Sequence, residues 1–530
     1  MLWYLVNLTD LLVQQQGYPN RISARCQFIL IPCGLLLPVG FMDGLNLFLP
    51  HVILRQSRND NVTPARTVIP SNPFRKACLP RPRSGPGPVG RGDGGNLKAI
   101  FVTMTRKIQA KIKAMAFKGY GVARMDGKVL FIPYSVIGDE GWVEVVEEKK
   151  NYSMGKWMEI LRPSPMRVDP PCSYFGVCGG CQWQHIAYAN HGELKEEILK
   201  EVLKRLGGVK EIPPITVIPS PDPYDYRTRV QMKVKGKALG YYKERSHELI
   251  DVQHCPIAHP LVNQMIPFFR KPLSSLSQLE EIEINVSPEE GKGVLVLHLS
   301  KLKQGLEIFL KEFLNVCPLL KGLAIVRKRR ATIQGELHLN FTVPLNQNGG
   351  KEYLRFRTSP ESFFQVNLKQ NETLIQRVLE FADAKGNEIT LDLYAGIGNM
   401  TLPLATVSKE IWGIEENLVA VKDAQFNAER NGIKNCSFIH GKVEDILRRW
   451  RREKPDLIVL DPPRTGCKTI LDQVVTLKPK KIVYVSCEPT TLARDLRLFS
   501  NRGFALRGLA LIDMFPQTYH MEVIGLLEQS

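Results

Sequence analysis

From Lys107 to Lys150 the chain alternates apolar and polar residues in short runs, KIQAKIKAMAFKGYGVARMDGKVLFIPYSVIGDEGWVEVVEEKK. Gly119-Tyr120-Gly121, Asp126-Gly127 and Gly138-Asp139 interrupt the runs. Period-two alternation broken by such turns predicts short strands closing into a small OB-like β-barrel. Further on the period lengthens. Leu194, Ile198, Val202 and Leu206 recur at helical spacing, predicting a helix over Glu193–Leu206 that Gly207-Gly208 stops. Residues 215–355 mix strand-like runs, RTRVQMKVKG and KGVLVLHLS among them, with a helix near 303–314. From about Asn371 the pattern reads helix, strand, helix, strand. ITLDLYAGIGNMTLPLA, IWGIEENLVAV, DLIVLDPPR and IVYVSC each begin as an apolar strand and end in a polar turn. That order predicts an α/β fold with a doubly wound, Rossmann-like domain of about 160 residues. After the last strand, Thr490 and Thr491 are placed to cap a helix through Leu492 and Leu496. The expected units are residues 1–103, a barrel at 104–164, an α+β central unit at 165–365 and the doubly wound domain at 366–530.

The first 103 residues differ in texture. Gln27–Pro50 is apolar, but Pro32, Pro38 and Asp43 interrupt it, which a membrane span would have to accommodate. Residues 79–95, rich in Pro, Gly and Arg, read as linker. A membrane anchor, a targeting segment and sequence outside the working protein all fit. The last is favoured, with Met104 as the functional start and no stable membrane partner.

Composition adds a partner. The net charge of +18 over 530 residues points to a polyanion, most simply nucleic acid. Lys107, Lys111, Lys113 and Lys118 charge the barrel, and Arg227, Arg229, Lys233, Lys235 and Lys237 alternate as a phosphate-binding strip would. A plain structural barrel is the plainer reading of the first, and a solvated charged face that of the second. A cytoplasmic location is the default. In a reducing compartment, grouped cysteines suggest metal before disulfides. Cys172, Cys178 and Cys181 share one glycine-rich loop, PPCSYFGVCGGCQWQH, with Cys255 far downstream. Four thiolates suit zinc or an iron–sulfur cluster, and spacing alone does not choose.

Four stretches of the last domain carry candidate chemistry. Gly396 and Gly398 in AGIGN lie where strand meets helix, and Glu415 ends the next strand, placed to hold a ribose diol. A third glycine expected for a dinucleotide is Thr401, so S-adenosylmethionine (SAM) fits better than NAD. Asp461-Pro462-Pro463-Arg464 makes a rigid corner able to shape a pocket for a flat base. Enzymes methylating base amino groups often have an aromatic after the prolines, and cytosine-methylating RNA enzymes commonly have a cysteine at this corner. Here Arg464 stands instead. Cys487 follows a strand at the end where open α/β sheets bind ligands. His520 and Glu522, two apart in an expected strand, share a face, with Glu522 a candidate base.

Taken together, DPPRTG, IVYVSCEPTT and FPQTYHME, in this order, with SPESFFQVN at 359–367, resemble the RNA uracil-5-methyltransferase family over about residues 106–530. The resemblance implies a TRAM domain for the barrel, RNA binding for the central unit and a SAM-dependent methyltransferase domain at the C-terminus. It implies that Cys172, Cys178, Cys181 and Cys255 ligate a 4Fe-4S cluster, as in the family's ribosomal members. It makes Gln365, Tyr394, Asn399, Glu415 and Asp461 cofactor-site residues beside Gly396. Cys487 becomes the nucleophile, Glu522 the base and Arg464 a substrate contact. The barrel with the four cysteines favours 23S rRNA as substrate over tRNA, and a monomer is expected. One departure is Glu488, where many members have Asn. An enzyme methylating an amino group of adenine or guanine, and a non-catalytic RNA-binding protein, are the competing readings.

Overall fold

The computed structural model describes residues 106–530 except 274–275, 277, 302–312, 316, 328–329 and 348–349. The expectations for residues 1–103, and nearly all of the helix expected near 303–314, lie outside the described residues.

Six strands form the first unit: β1 (Arg106–Lys111), β2 (Ala114–Ala116), β3 (Tyr120–Met125), β4 (Lys128–Ile132), β5 (Glu140–Glu148) and β6 (Tyr152–Arg162). They run in the order β1-β5-β6-β4-β3-β2 around a core including Leu130, Ile132 and Val143. The expected turns sit between them, with Gly119, Gly127 and Gly138 at positive φ.

Next come α1 (His191–Val202), β7 (Ile215–Ile218), β8 (Arg229–Lys235), β9 (Ala238–Tyr242), β10 (Leu249–Asp251) and α2 (Pro260–Leu273). They are followed by β11 (Leu279–Ser287), β12 (Lys292–Leu299), β13 (Leu320–Arg327), β14 (Arg330–Gly335) and a hairpin, β15 (Leu339–Gln347) with β16 (Gly350–Thr358). Strands β10-β9-β8-β11-β12-β13-β14 make one sheet. Its register corrects the basic strip. β8 pairs antiparallel with β11, setting Lys233 opposite Glu281. Lys233 ion-pairs with Glu281, and Arg229 with the buried Glu283 at 2.8 Å. Arg227 lies outside the strand, turned into a cavity. Cross-strand carboxylates therefore pair with two of the five basic residues, Arg229 and Lys233.

The last domain contains α3 (Leu368–Ala382), β17 (Ile389–Leu393), α4 (Thr401–Ala405), β18 (Glu410–Glu415), α5 (Leu418–Arg430), β19 (Cys436–His440) and α6 (Val443–Arg448). Then follow β20 (Leu457–Leu460), α7 (Leu471–Thr476), β21 (Lys481–Ser486), α8 (Pro489–Ser500), β22 (Phe504–Ile512) and β23 (Glu522–Gln529). The sheet order is β19-β18-β17-β20-β21-β23-β22-β7. Neighbours from β19 to β21 are parallel, and β23 is antiparallel to both of its neighbours. Two apolar cores cover the two faces, as a doubly wound sheet requires.

Two boundaries differ from expectation. Strand β7, from the stretch expected to be central, pairs with β22 at the edge of the last sheet. Leu194, Ile198 and Val202 of α1 belong to the core of this sheet, so the helix packs there too. Separately, α8 begins earlier than Thr490. Glu488 is its N-cap residue and Pro489 opens its first turn, a position that needs no backbone N–H. The Thr491 hydroxyl donates back to the Glu488 carbonyl at 3.1 Å rather than capping the helix.

Candidate active site

Two cavities meet at the C-terminal ends of β17 and β20, where an open α/β sheet binds ligands. The first is lined by Gln365, Asp392, Tyr394, Gly396, Asn399 and Asp461 among others. Local structure explains each placement. The Gly396 N–H donates to Glu415 Oε2 at 3.0 Å, and the Asn417 N–H holds Oε1 at 2.7 Å, so the acid is fixed at the end of β18. Gly396 and Gly398 have φ of 55° and 85°, and a Cβ on Gly398 would collide with Leu402. Tyr394 adopts φ 69°, a strained conformation that clusters at functional sites. Asn399 exchanges two amide hydrogen bonds with Asn371 of α3, at 2.8 and 2.9 Å. Buried Asp423 of α5 accepts from the Ser359 N–H, the Ser359 hydroxyl and the Ser362 hydroxyl at 2.7 to 3.0 Å. That anchor pins the SPESFFQVN turn, which presents Gln365 and the 66% exposed Phe363 to both cavities.

Strand pairing brings the reacting groups together. Asp461 follows β20 and Cys487 follows β21, its parallel neighbour. Glu522 opens β23, antiparallel to β21, with Ser486 opposite Val523. Glu522 is 3% exposed, so it is not a solvent-facing acid. Burial and Asp461 raise its pKa well above the carboxylate range, while Arg464 pulls it down. Burial pushes the Cys487 thiol up to about 12, with Glu522 and Asp461 adding to the shift and Arg464 opposing it. Arg464 is thus the cation beside both groups. Its corner is held from α8: Thr491 Oγ1 shares its one proton between the Glu488 and Arg464 carbonyls, each 3.1 Å away, and Arg494 donates to the Thr465 carbonyl at 2.8 Å. His520 precedes β23 rather than sharing it with Glu522. Burial, Arg464, Lys195 and Arg227 lower its pKa to about 4, keeping the imidazole neutral.

The loop before Glu522 is tied down carbonyl by carbonyl. Gln370 donates to Asp513 O at 3.0 Å, Asn367 to Met514 O at 3.3 Å and Tyr226 to Pro516 O at 3.1 Å. The N–H groups of Gln182 and Trp183 both reach Gln517 O, at 3.1 and 3.0 Å. Lys195, fully buried, ion-pairs with Asp513 at 2.6 Å and donates to His520 O at 2.6 Å.

The second, larger cavity runs from Arg464 and His520 past Arg227 to Cys172, Cys178, Cys181 and Cys255. All four thiols are free and partly accessible. Burial pushes Cys178 up to about 11 and Cys181 to about 12, and each also feels the other cysteines. Four sulfur donors around one space are a donor set for a metal centre. Among the described residues no three His, Cys, Asp or Glu side chains converge as around a single ion.

Sequence reasoning missed Asp392, Asn371, Asp423 and the Lys195–Asp513 pair. Asp392 sits inside an apolar strand, ITLDL, and that misplaced acid was the available signal. The others act across the fold and leave no local pattern.

Comparison with known proteins follows the same outline. A profile of the tRNA (Uracil-5-)-methyltransferase family matches residues 187–530. A TRAM-domain profile of tRNA (uracil(54)-C(5))-methyltransferase matches residues 108–166. An uncharacterized RNA methyltransferase of Aquifex aeolicus is 36% identical over 434 residues, covering 80% of this chain and 99% of that protein. The 23S rRNA (uracil(1939)-C(5))-methyltransferase RlmD of Pectobacterium atrosepticum is 34% identical over 419 residues, covering 77% and 90%. The crystal structure of the Pyrococcus abyssi tRNA (uracil-54, C5)-methyltransferase with S-adenosyl-L-homocysteine shares the fold. It superposes with a TM-score of 0.64 at 23% identity, covering 79% of this chain and 99% of that one. No helix of the described residues is long and apolar enough to cross a membrane.

Proposed function

This chain belongs to the tRNA (uracil-5-)-methyltransferase family and methylates carbon 5 of uracil in RNA from SAM, and we propose that it does so through a covalent Cys487 adduct, on 23S rRNA. The observation that carries the adduct is the convergence of a thiol, a buried carboxyl and a cation at three neighbouring strand ends. Carbon 5 of uracil is too poor a nucleophile to take a methyl group unaided. Addition of Cys487 Sγ to carbon 6 turns the ring into an enolate, which makes carbon 5 nucleophilic. Arg464 favours the thiolate and stabilises the anionic ring. Carbon 5 then displaces the methyl group from the sulfonium, and the cofactor leaves as the neutral thioether. Glu522 takes the carbon 5 proton as the Cys487–carbon 6 bond breaks and the thiolate departs. Its raised pKa makes the ionised form a stronger acceptor. The target base must leave its stack to reach the thiol, which suits a loop uridine or one flipped from a helix.

SAM occupies the smaller cavity in this reading. Glu415 holds the ribose, and Gln365, Tyr394, Gly396, Asn399 and Asp461 surround the rest. Cys172, Cys178, Cys181 and Cys255 hold a 4Fe-4S cluster. All four thiols line one cavity, which supports a shared metal centre. When bound, the cluster supplies a rigid crosslink between the 172–181 loop and Cys255, and the polar methyl transfer draws no electron from it. Ribosomal RNA is favoured by the similarity to RlmD and by the cysteine set. The family description and the TRAM profile favour tRNA as the second reading.

Replacing Glu522 with Gln leaves the first two steps and removes the third. With SAM and unmodified RNA, the variant is expected to accumulate a protein–RNA adduct carrying the transferred methyl group, seen as a retarded band on a denaturing gel. A folded variant that turns over normally, or forms no adduct, would remove Glu522 from the role of base.

A further inference from the structure

The cofactor cavity holds a feature that cofactor binding alone does not need. Two carboxyls, Asp392 and Asp461, line it together, and its lining contains no Lys, Arg or His. The strands fix their closeness. Asp392 lies in β17 opposite Val459 of β20, and Asp461 follows β20 with its N–H on the Leu393 carbonyl at 3.3 Å. Neither carboxyl has an ion-pair partner among the described residues. Asp392 accepts from the Thr401 hydroxyl at 2.5 Å and from the Thr401 backbone N–H. Aromatic rings at Phe363, Phe364 and Tyr394 keep much of the remaining wall apolar.

Two carboxyls in an otherwise largely apolar wall without a basic side chain suit a cation, and the sulfonium is the one that methyl transfer removes. Methyl transfer converts that sulfonium to a neutral thioether and uncovers one negative charge in the wall. The same reaction releases one proton from carbon 5. We propose that Asp392 and Asp461, together with Glu522, form a carboxyl row that distinguishes SAM from its demethylated product by charge, retaining the carbon 5 proton in place of the lost sulfonium charge and releasing it when fresh SAM displaces the product.

The charges balance. One positive charge leaves the sulfur with the methyl transfer, and one proton enters the row through Glu522. Product exchange reverses both: the sulfonium returns and the proton goes to solvent. The groups facing the row set its titration. Asp392 faces Asp461 and Glu415, and Asp461 faces Asp392, Glu522 and Cys487, with Arg464 the neighbouring cation on the substrate side. Burial raises both Asp392 and Asp461 to about 7, with Glu415 adding to the shift of Asp392 and Asp392 adding to that of Asp461, so the row can hold a proton near neutral pH when no sulfonium is present. Binding SAM lowers these pKa values and expels that proton.

The sign of the pH dependence follows. At low pH the row stays protonated and the two ligands bind alike. As pH rises toward 7 the preference for SAM over S-adenosylhomocysteine grows, by up to about tenfold per pH unit for one coupled proton, and flattens above. The test is equilibrium binding of both ligands to the full chain from about pH 5.5 to 8, for the wild type and for Asp392→Asn. The wild-type affinity ratio is expected to rise and then flatten, and the slope should fall in the variant. Calorimetric displacement of S-adenosylhomocysteine by SAM on the wild type, in phosphate and in Tris, covers a variant that fails to fold. The apparent enthalpy is expected to differ between buffers by the heat of one released proton. A flat ratio across pH, or equal enthalpies in the two buffers, overturns the proposal. Failure of either ligand to bind overturns the assignment of the cavity, and the proposal with it.

Discussion

Replacement of Cys487 with Ala is expected to abolish methyl transfer, with a loss of at least about 10⁴-fold, the scale seen when a covalent nucleophile is removed. RNA binding should remain within a fewfold of wild type. The contrast matters because the competing chemistries differ here. An enzyme methylating a base amino group needs no thiol, since the exocyclic nitrogen can attack the sulfonium with the help of a carboxylate. A binding protein would lose nothing. In this structure the thiol stands beside Arg464, Glu522 and Asp461, three groups whose charges bear on it directly. Burial and the carboxyls hold it protonated, so it is a poor nucleophile until substrate and cofactor alter the balance. The check is a single-turnover assay with labelled SAM, run beside a filter-binding measurement on the same RNA. Turnover of the Ala variant within tenfold of wild type would contradict the covalent route.

The second large effect is structural and lies away from the thiol. Lys195 on α1 is fully buried, paired with Asp513 at 2.6 Å and bonded to the His520 carbonyl at 2.6 Å. Replacing it with Met keeps the length but leaves the buried Asp513 without its ion-pair partner. Breaking a buried pair this way costs about 3–5 kcal/mol. At roughly 2–4 °C per kcal/mol in a domain of this size, the unfolding midpoint should fall by about 10 °C. The Lys195→Met, Asp513→Asn double variant removes the stranded carboxyl and should recover part of the loss. Thermal unfolding of the wild type, the single and the double variant measures this. A double variant no more stable than the single would show that the stranded carboxyl is not the source of the loss. Residual activity in the single variant should fall further than stability explains at room temperature, because His520 and Glu522 hang from the same loop.

How much of this could be read from the chain alone depends on distance along it. Turns, strand ends and glycine placements are local, and Gly396, Glu415, Asp461 and Cys487 lie at the strand ends that the apolar runs predicted. Pairings across the fold are not local. The basic alternation in RTRVQMKVKG gives no hint that Glu281 and Glu283 stand opposite it in β11. The ITVI strand at 215–218 is too short to announce that it joins a sheet whose other strands begin at residue 389. The same holds for the pair of N–H groups at Gln182 and Trp183 on the Gln517 carbonyl, which ties the cysteine loop to the loop carrying His520. His520 and Glu522 looked like neighbours in one strand. The chain enters β23 only at Glu522, because the preceding residues are spent on a turn with Gln517 at φ 67°.

On the proposed function, this chain makes 5-methyluridine in large-subunit ribosomal RNA. The most direct test is methyl transfer from labelled SAM to unmodified 23S rRNA and, separately, to unmodified tRNA, using protein purified without oxygen. The products are mapped by mass. A single 5-methyluridine in the rRNA, with none in the tRNA, is the predicted result. The same nucleoside in tRNA alone would keep the chemistry and contradict the substrate, and a methyl group on any other base atom would contradict the account of the active site.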